Sequence, residues 1–390
     1  MRLGKFSDII QPSPTLALNA KAAELKRNGV DVIHLGGGEP KWYAPQEAIK
    51  EAEKLLETRV VRYTPVSGIP ELKDAIMNYT EKYYGKSVAR ENVIVSSGAK
   101  QALMIALLAV LNFGEEVIFP APYWVSYPDM VKLAGGAPVV VQPESADFQI
   151  TFDEIIAKVT DKTKAILINS PNNPSGAVYK KDLFEQLANF CEKHEIFLIL
   201  DDIYRELTFD GEKSPNGFEY AKEDINNSYV LSINGVSKQF AMTGFRIGWA
   251  VGAKELIASM TRIQGHQTSC PSAVSQVAAI GALRGGEKEA EELKFSLVKK
   301  RETLVREISK IEKVKLIPPR ATFYSFADFS AYEKNSHKLA EYLIDVAKVV
   351  TIPGKDFGID GHLRISFCGP EDELIEGIAR IKEAIYKYKS

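Results

Sequence analysis

The middle of the chain alternates short apolar runs with stretches whose apolar residues recur at helical spacing. The apolar runs are Val93-Ile94-Val95, Glu116-Val117-Ile118-Phe119, Val139-Val140-Val141, Ala165-Ile166-Leu167-Ile168, Phe197-Leu198-Ile199-Leu200, Tyr229-Val230-Leu231-Ser232 and Trp249-Ala250-Val251. They are short, mostly β-branched and apolar on both faces, as strands buried beneath helices should be. Between them, Leu183, Phe184, Leu187, Phe190 and Cys191 fall on one helical stripe over Lys181 to His194, and a further helix is expected over Gln101 to Leu111. The alternation predicts an α/β fold whose sheet is seven-stranded and mostly parallel, with helices on both faces.

The C-terminal part has a different rhythm. A charged helical pattern runs from about Glu287 to Lys313, and Pro318-Pro319 interrupts it. Two strand candidates follow, Thr322 to Phe326 and His362 to Phe367, before a closing helix with Leu374, Ile378, Ile381 and Ile385 on one stripe. The N-terminal segment holds one amphipathic helix and the apolar run Val32-Ile33-His34-Leu35. The expected division is a large domain over 45–287, a smaller α+β domain over 288–390, and an N-terminal segment, 1–44, packing with the smaller domain.

Composition narrows the function classes. With 390 residues, 45% of them hydrophobic, a two-domain chain with a sizeable core is expected. The formal net charge is -2 and no basic run stands out, which argues against nucleic acid or an anionic membrane surface as partner. Met1-Arg2-Leu3-Gly4-Lys5 is not followed by an apolar stretch, so no secretory signal is expected, and no run approaches a membrane span. Cys191, Cys270 and Cys368 lie far apart, which fits a reducing cytoplasm. The histidines show no ligand spacing, so no metal is expected.

The chemistry concentrates after strand ends, where open α/β sheets bind ligands. Ser237-Lys238-Gln239-Phe240-Ala241-Met242-Thr243-Gly244-Phe245-Arg246 places a hydroxyl and an amine eight positions before an arginine. Such a set suits a molecule carrying both an aldehyde and a phosphate, as pyridoxal 5'-phosphate does, although a solvated lysine is the common alternative. Asp201 ends an apolar run, where a carboxylate can hold a pyridinium nitrogen protonated or cap a following helix; Asp202 is the better cap. Tyr204 stands three residues on, within reach of a ring oxygen. Asn169-Ser170-Pro171-Asn172-Asn173-Pro174-Ser175-Gly176 is either a plain turn or a rigid amide support for that oxygen. Ser96-Ser97-Gly98-Ala99-Lys100-Gln101 precedes a helix whose first N–H groups would bind an anion. Trp124 could stack on a planar ring or simply pack. Arg364, alternating with apolar neighbours, could be an exposed cation or a fork for a carboxylate.

These elements occur together and in one order, and the chain resembles the class I/II aminotransferases of the fold-type I pyridoxal-phosphate family. Within it, the chain is most similar to the bacterial and archaeal-type aspartate aminotransferases. The resemblance spans essentially the whole chain, from Leu18-Asn19-Ala20-Lys21-Ala22 and Gly38-Glu39-Pro40, through Tyr63-Thr64-Pro65 and Gly68-Ile69-Pro70-Glu71-Leu72, to Arg364. It implies that Lys238 forms the Schiff base with the cofactor and moves the proton, that Asp201 pairs with the ring nitrogen, and that Asn173 and Tyr204 contact the ring oxygen. It implies that Trp124 stacks on the ring, and that Ala99, Lys100, Ser237 and Arg246 hold the phosphate. Arg364 and the Gly38 backbone would hold the substrate α-carboxylate, with Trp124, Asn173 and Lys100 beside it. Tyr63 would reach the phosphate of a second subunit, so the resemblance implies a homodimer with shared sites. The substrates implied are an L-amino acid, aspartate first, and a 2-oxo acid, 2-oxoglutarate first.

Three departures from the family pattern bear on substrate. Gly235 stands where many relatives have a serine, which removes one phosphate hydroxyl. Gly265-His266-Gln267-Thr268-Ser269 lacks the arginine that many aspartate aminotransferases use for the distal carboxylate, and Lys100 stands where the resembling subgroup places a lysine for that task. Lys41-Trp42 replaces the usual Asp-Phe, so Trp42 could reshape the side-chain pocket. The alternatives are an aminotransferase for aromatic amino acids, prephenate or alanine, and a lyase on the same fold.

Overall fold

The structure is a computed structural model that describes residues 14–222 and 224–388; the expectation about a leader at Met1 to Lys5 concerns residues outside these. After the helix Pro14–Arg27 comes β1 (Ile33–His34), and the main sheet then takes β2 (Val93–Ser96), β3 (Glu116–Pro120), β4 (Ala137–Val141), β5 (Thr163–Asn169), β6 (Phe197–Asp201), β7 (Val230–Gly235) and β8 (Gly248–Val251). Its order is β2-β8-β7-β6-β5-β3-β4, seven-stranded as expected. All neighbours are parallel except β8, which runs antiparallel to both β2 and β7.

The two-sided apolar character of these strands has a direct structural cause. Ile166, Ile168, Leu198, Leu200 and Val230 face one core cluster, and Ala165, Leu167, Ile199, Leu231 and Ile233 face the other. Alternate side chains of a strand point to opposite faces, so helices on both sides must cover them. Helix Lys181–His194 brings Leu183, Phe184, Leu187, Ala188 and Cys191 to the first cluster. Helix Ala99–Val110 brings Ala102, Leu103, Ile105, Ala106 and Leu107 to the second. Each fully buried branched side chain contributes about 1.5–3 kcal/mol, so the sheet's central strands carry much of the fold's stability.

The C-terminal part holds β9 (Tyr324–Asp328), β10 (Val349–Val350), β11 (Ile352–Pro353) and β12 (His362–Ser366). β11, β12 and β9 form a three-stranded antiparallel sheet, and β10 pairs in parallel with the N-terminal β1. Leu374, Ile378, Ile381 and Ile385 are buried along the closing helix Glu371–Lys387. Several boundaries differ from expectation, two of them for a visible reason. The charged helix ends at Ile308, not Lys313, because Ser309 begins a turn closed by its hydroxyl on the Arg306 carbonyl. The first C-terminal strand begins at Tyr324, not Thr322, because Thr322 takes a left-handed φ of 66° and its N–H bonds to Leu207.

Candidate active site

The parallel strands β5, β6 and β7 deliver their C-terminal ends to one cavity of about 560 Å³. The start of helix Ala99–Val110, the Gly36-Gly37-Gly38 backbone and Arg364 of β12 complete its walls. Position follows topology: strand C-termini and a helix N-terminus converge where backbone donors lie open.

Lys238 sits in the loop after β7, and its Nζ donates to the Gly38 carbonyl at 2.6 Å. Burial lowers its pKa to about 8, with the Arg364 and Arg246 charges acting in the same direction. Asp201, the last residue of β6, accepts from the Tyr127 hydroxyl through Oδ2 at 2.6 Å. Its Oδ1 is buried with no hydrogen-bond partner. Burial raises the Asp201 pKa to about 6, and the neighbouring Asp202 charge adds to the rise. An unpartnered buried carboxylate oxygen is costly, and on a residue that lines the cavity it suits a cationic N–H.

Asn169 ties this wall together. Its Nδ2 donates to the Asp201 carbonyl at 2.8 Å, and its Oδ1 accepts the Asn173 N–H at 2.9 Å. The Asn173 Oδ1 accepts in turn from Arg364 at 3.1 Å, and a second Arg364 nitrogen donates to the Gly36 carbonyl at 2.8 Å. The guanidinium lies 4.4 Å from the Tyr324 ring centroid and 5.0 Å from that of Phe357, with its Nε buried and unpartnered. A planar cation held between rings with an open donor suits a carboxylate. Tyr204 shares a 3.2 Å hydroxyl–hydroxyl contact with Tyr324, and burial holds its pKa well above the ordinary phenol value.

Trp124 and Lys100 also line the cavity. Trp124 meets Tyr127 edge-on at 5.5 Å between centroids, and Lys100 Nζ lies 4.6 Å from the Trp124 ring centroid. Burial lowers the Lys100 pKa, with Arg246 contributing. Below them, Arg246 adopts φ 55° and donates to the Thr243 carbonyl at 2.9 Å. A Cβ on Gly98, whose φ is +91°, would meet Arg246 Nη2 at 2.5 Å, and one on Gly248 would meet the Ala99 nitrogen at 2.2 Å. Two glycines therefore let arginine, strand β8 and the helix start approach one another.

The structure thus brings Gly38, Ala99, Lys100, Trp124, Asn173, Asp201, Tyr204, Ser237, Lys238, Arg246 and Arg364 to a single cavity. Tyr63 stands apart: it is 92% exposed and lines no part of that cavity. Trp42 does not line it either; it packs, half-buried, against the C-terminal core, so its expected effect on the side-chain pocket is not direct. Asp202 is not a helix cap, because no helix follows it; its Oδ2 accepts from Tyr84, Asn216 and Ser232 in the interior. Gly235 is fixed by packing: a Cβ there would lie 2.8 Å from the Ile247 carbonyl oxygen, so a serine would require β7 and β8 to shift apart. Sequence reasoning missed Tyr127, Asn169, Tyr324 and Glu39 as cavity or supporting residues. Tyr127 stands three residues after Trp124, and Asn169 and Glu39 lie inside the Asn169 to Gly176 and Gly38-Glu39-Pro40 stretches, whereas nothing local marks Tyr324.

These residues fit pyridoxal 5'-phosphate. An amine with lowered proton affinity suits its aldehyde, the bare Asp201 Oδ1 suits its ring nitrogen, and the glycine-lined helix start with Arg246 suits its phosphate. Among the described residues no His/Cys/Asp/Glu group could hold a metal ion, and no helix is long and apolar enough to cross a membrane.

Comparison with known proteins agrees with this geometry. Residues 30–381 match the model for aminotransferase class I and II. The chain is 38% identical to a probable aspartate/prephenate aminotransferase of Aquifex aeolicus over 99% of each chain. It is 37% identical to the aspartate aminotransferase of Bacillus subtilis over 100% of each. The solved aspartate aminotransferase of Rhizobium meliloti superposes with a TM-score of 0.94 at 33% identity, covering 100% of both chains. That of Thermus thermophilus with maleate superposes with a TM-score of 0.93 at 36% identity, covering 98% of this chain and 100% of the other. With strand order, cavity and sequence in agreement, this chain belongs to the class I and II aminotransferases, enzymes of the fold-type I architecture that work with pyridoxal 5'-phosphate.

Proposed function

We propose that the amino donor is a dicarboxylic L-amino acid, aspartate first, and that 2-oxoglutarate is the main acceptor. The observation that carries this is the pair of cations lining one cavity, Arg364 with an unpartnered Nε and Lys100 with its Nζ 4.6 Å from the Trp124 ring centroid. Two carboxylates on one small substrate match two such cations. The relatives' names point the same way, and that of the Aquifex aeolicus relative couples aspartate with prephenate, which makes prephenate the second acceptor to test.

The cofactor, when bound, supplies an electron sink for the pair left behind when the substrate α-proton departs. The remaining work falls to side chains. Lys238 Nζ would take the substrate α-proton and hold it for the 1,3-shift; general acid–base transfer of this kind typically contributes about 10²–10⁴-fold. Asp201 would accept from the ring N–H and keep that nitrogen protonated. Asn173 and Tyr204 would hold the ring oxygen, Trp124 would cover the ring, and the Ala99 and Lys100 N–H groups, Ser237 and Arg246 would hold the phosphate. Arg364 and the Gly38 backbone grip the α-carboxylate, with Asn173 positioning the guanidinium and Lys100 taking the distal carboxylate.

The exposed Tyr63 fits a role across a subunit interface, and a homodimer with shared sites is part of the proposal. So are a cytoplasmic setting, in keeping with free Cys191, Cys270 and Cys368, and the division at 1–44, 45–287 and 288–390. The test is to mix the yellow protein with a panel of amino acids and follow loss of the long-wavelength absorbance. Aspartate and glutamate should bleach it fastest, and Lys100→Ala should slow both about 10-fold or more while sparing apolar donors. Equal losses for all donors would remove Lys100 from the distal site, and ammonia release without an acceptor would overturn amino transfer.

A further inference from the structure

Asp202, the residue after Asp201, is buried on the side of β6 away from the cavity, and none of its partners lines that cavity. Its Oδ2 accepts from Asn216 Nδ2 at 2.6 Å, Ser232 Oγ at 2.6 Å and Tyr84 Oη at 3.2 Å, drawn from three separate segments. The Tyr84 hydroxyl accepts from Asn234 Nδ2 at 3.2 Å, which also reaches the Tyr79 hydroxyl at 3.4 Å; Tyr79 donates to Gln239 Oε1 at 3.4 Å. A buried polar chain therefore runs from the residue after Asp201 to the residue after Lys238. Ser232, Asn234, Gln239, Asn216, Tyr79 and Tyr84 are all buried.

Burial raises the Asp202 pKa, and the Arg205 charge and the three donors on one oxygen act against that rise, towards the ionised carboxylate. Arg205 compensates that charge in part: its guanidinium lies 4.3 Å from the Tyr84 ring centroid and donates to the Tyr83 and Ser214 carbonyls. Glu206 stands beside Arg205, with Nε to Oε1 at 3.6 Å. The charged and titratable groups facing Asp202 are thus Arg205, Tyr84, Glu206 and Asp201. Buried networks of this kind, here satisfied except at the Arg205 Nε, fix geometry and transmit charge effectively in a medium of low dielectric.

We propose that Asp202 is a positioning residue that locks the ends of β6 and β7 in register and whose negative charge sets the proton affinity at the Asp201–Lys238 pair. The proposal rests on the roles given above to Asp201 and Lys238. A negative charge behind Asp201 makes any proton shared with the cofactor ring, or held by the Lys238 nitrogen, harder to lose. Removing that charge with an isostere should lower the pH at which the bound cofactor changes spectrum; removing Arg205 should raise it.

The experiment is a spectral titration of the cofactor-loaded protein as wild type, Asp202→Asn and Arg205→Gln, with circular dichroism confirming the fold. The expected result is a midpoint lowered by about 0.5–1 pH unit in Asp202→Asn and raised in Arg205→Gln. Opposite shifts cannot come from general loosening of the fold. An unchanged midpoint in folded Asp202→Asn overturns the proposal. If that variant does not fold, Arg205→Gln decides, and absence of an upward shift overturns it. A wild type that binds no cofactor would instead overturn the roles of Asp201 and Lys238, a distinct failure.

Discussion

Lys238 and Asp201 carry opposite distortions of their ordinary chemistry, each caused first by burial. The lysine amine loses its proton near pH 8 and the aspartate carboxyl near pH 6. In cofactor-free protein, trapping of Lys238 by an aldehyde and borohydride should therefore rise through a midpoint near pH 8, well below that of an ordinary lysine, as peptide mapping would show; Lys238→Ala should lose that adduct, the yellow absorbance and turnover. Asp201 allows a second prediction, with its sign fixed by linkage. A raised native pKa means that ionisation in the folded state costs stability; the cost is absent below the unfolded value of about 3.9 and complete above the native value. Asp201→Asn, still able to accept from Tyr127, should raise the melting temperature of the cofactor-free protein at pH 7.5 and leave it nearly unchanged at pH 4. Equal changes at both pH values would show that the carboxylate charge is not the source. The same substitution should abolish turnover, since stability and activity oppose each other at such a site. At this scale the sequence revealed the residues by their motifs, because Lys238, Asp201, Asn173 and Arg364 sit beyond or within short apolar runs. It misjudged Asp202, since an Asp after a strand carries the same local signal whether a helix or an interior network follows.

Among elements, the start of helix Ala99–Val110 is held by close backbone approach. Gly248 presses on it so closely that Gly248→Ala should push the first turn off its place, weaken cofactor binding about 10-fold and cost about 1–3 kcal/mol. Equilibrium dialysis and thermal melting would check this; unchanged affinity would mean the helix start does not hold the phosphate. The strands were legible because two-sided apolar character follows from helices on both faces. The ends were less so: the helix stop at Ile308 and the strand start at Tyr324 depend on a turn and a left-handed backbone that periodicity does not report. Tyr324 reaches the cavity only because β9 pairs with β12, with Ser325 opposite Ile365, a long-range event without local signature.

At the scale of the molecule, the site draws on residues from Gly36 to Arg364, so no part of the chain builds it alone. The proposed dimer extends this across subunits and yields a complementation test. Lys238→Ala and Tyr63→Ala should each be impaired. Refolding the two together should return about one quarter of wild-type activity, because each hybrid would hold one intact site and half of all dimers are hybrids. No recovery, in particles shown to be mixed dimers, would place Tyr63 in its own subunit's site or in none. Sequence order alone cannot show which side of an interface a tyrosine serves.

The reversed direction of β8 has a practical meaning. Because β7 ends and β8 begins at the same edge, the segment from Val236 to Ile247 is one closed loop, sealed at its base by the Val236 N–H on the Ile247 carbonyl. That loop carries Ser237, Lys238 and Arg246, the amine and the phosphate partners together. Its two stems are held together by that 3.2 Å bond, while Lys238 reaches out to Gly38, Gln239 to Tyr79 and Arg246 to the Gly98 turn, so an exchange of this loop between relatives must keep those partners in place. The amine and the phosphate arginine would travel with the loop, while Asp201, Asn173 and Tyr204 would stay behind with the sheet.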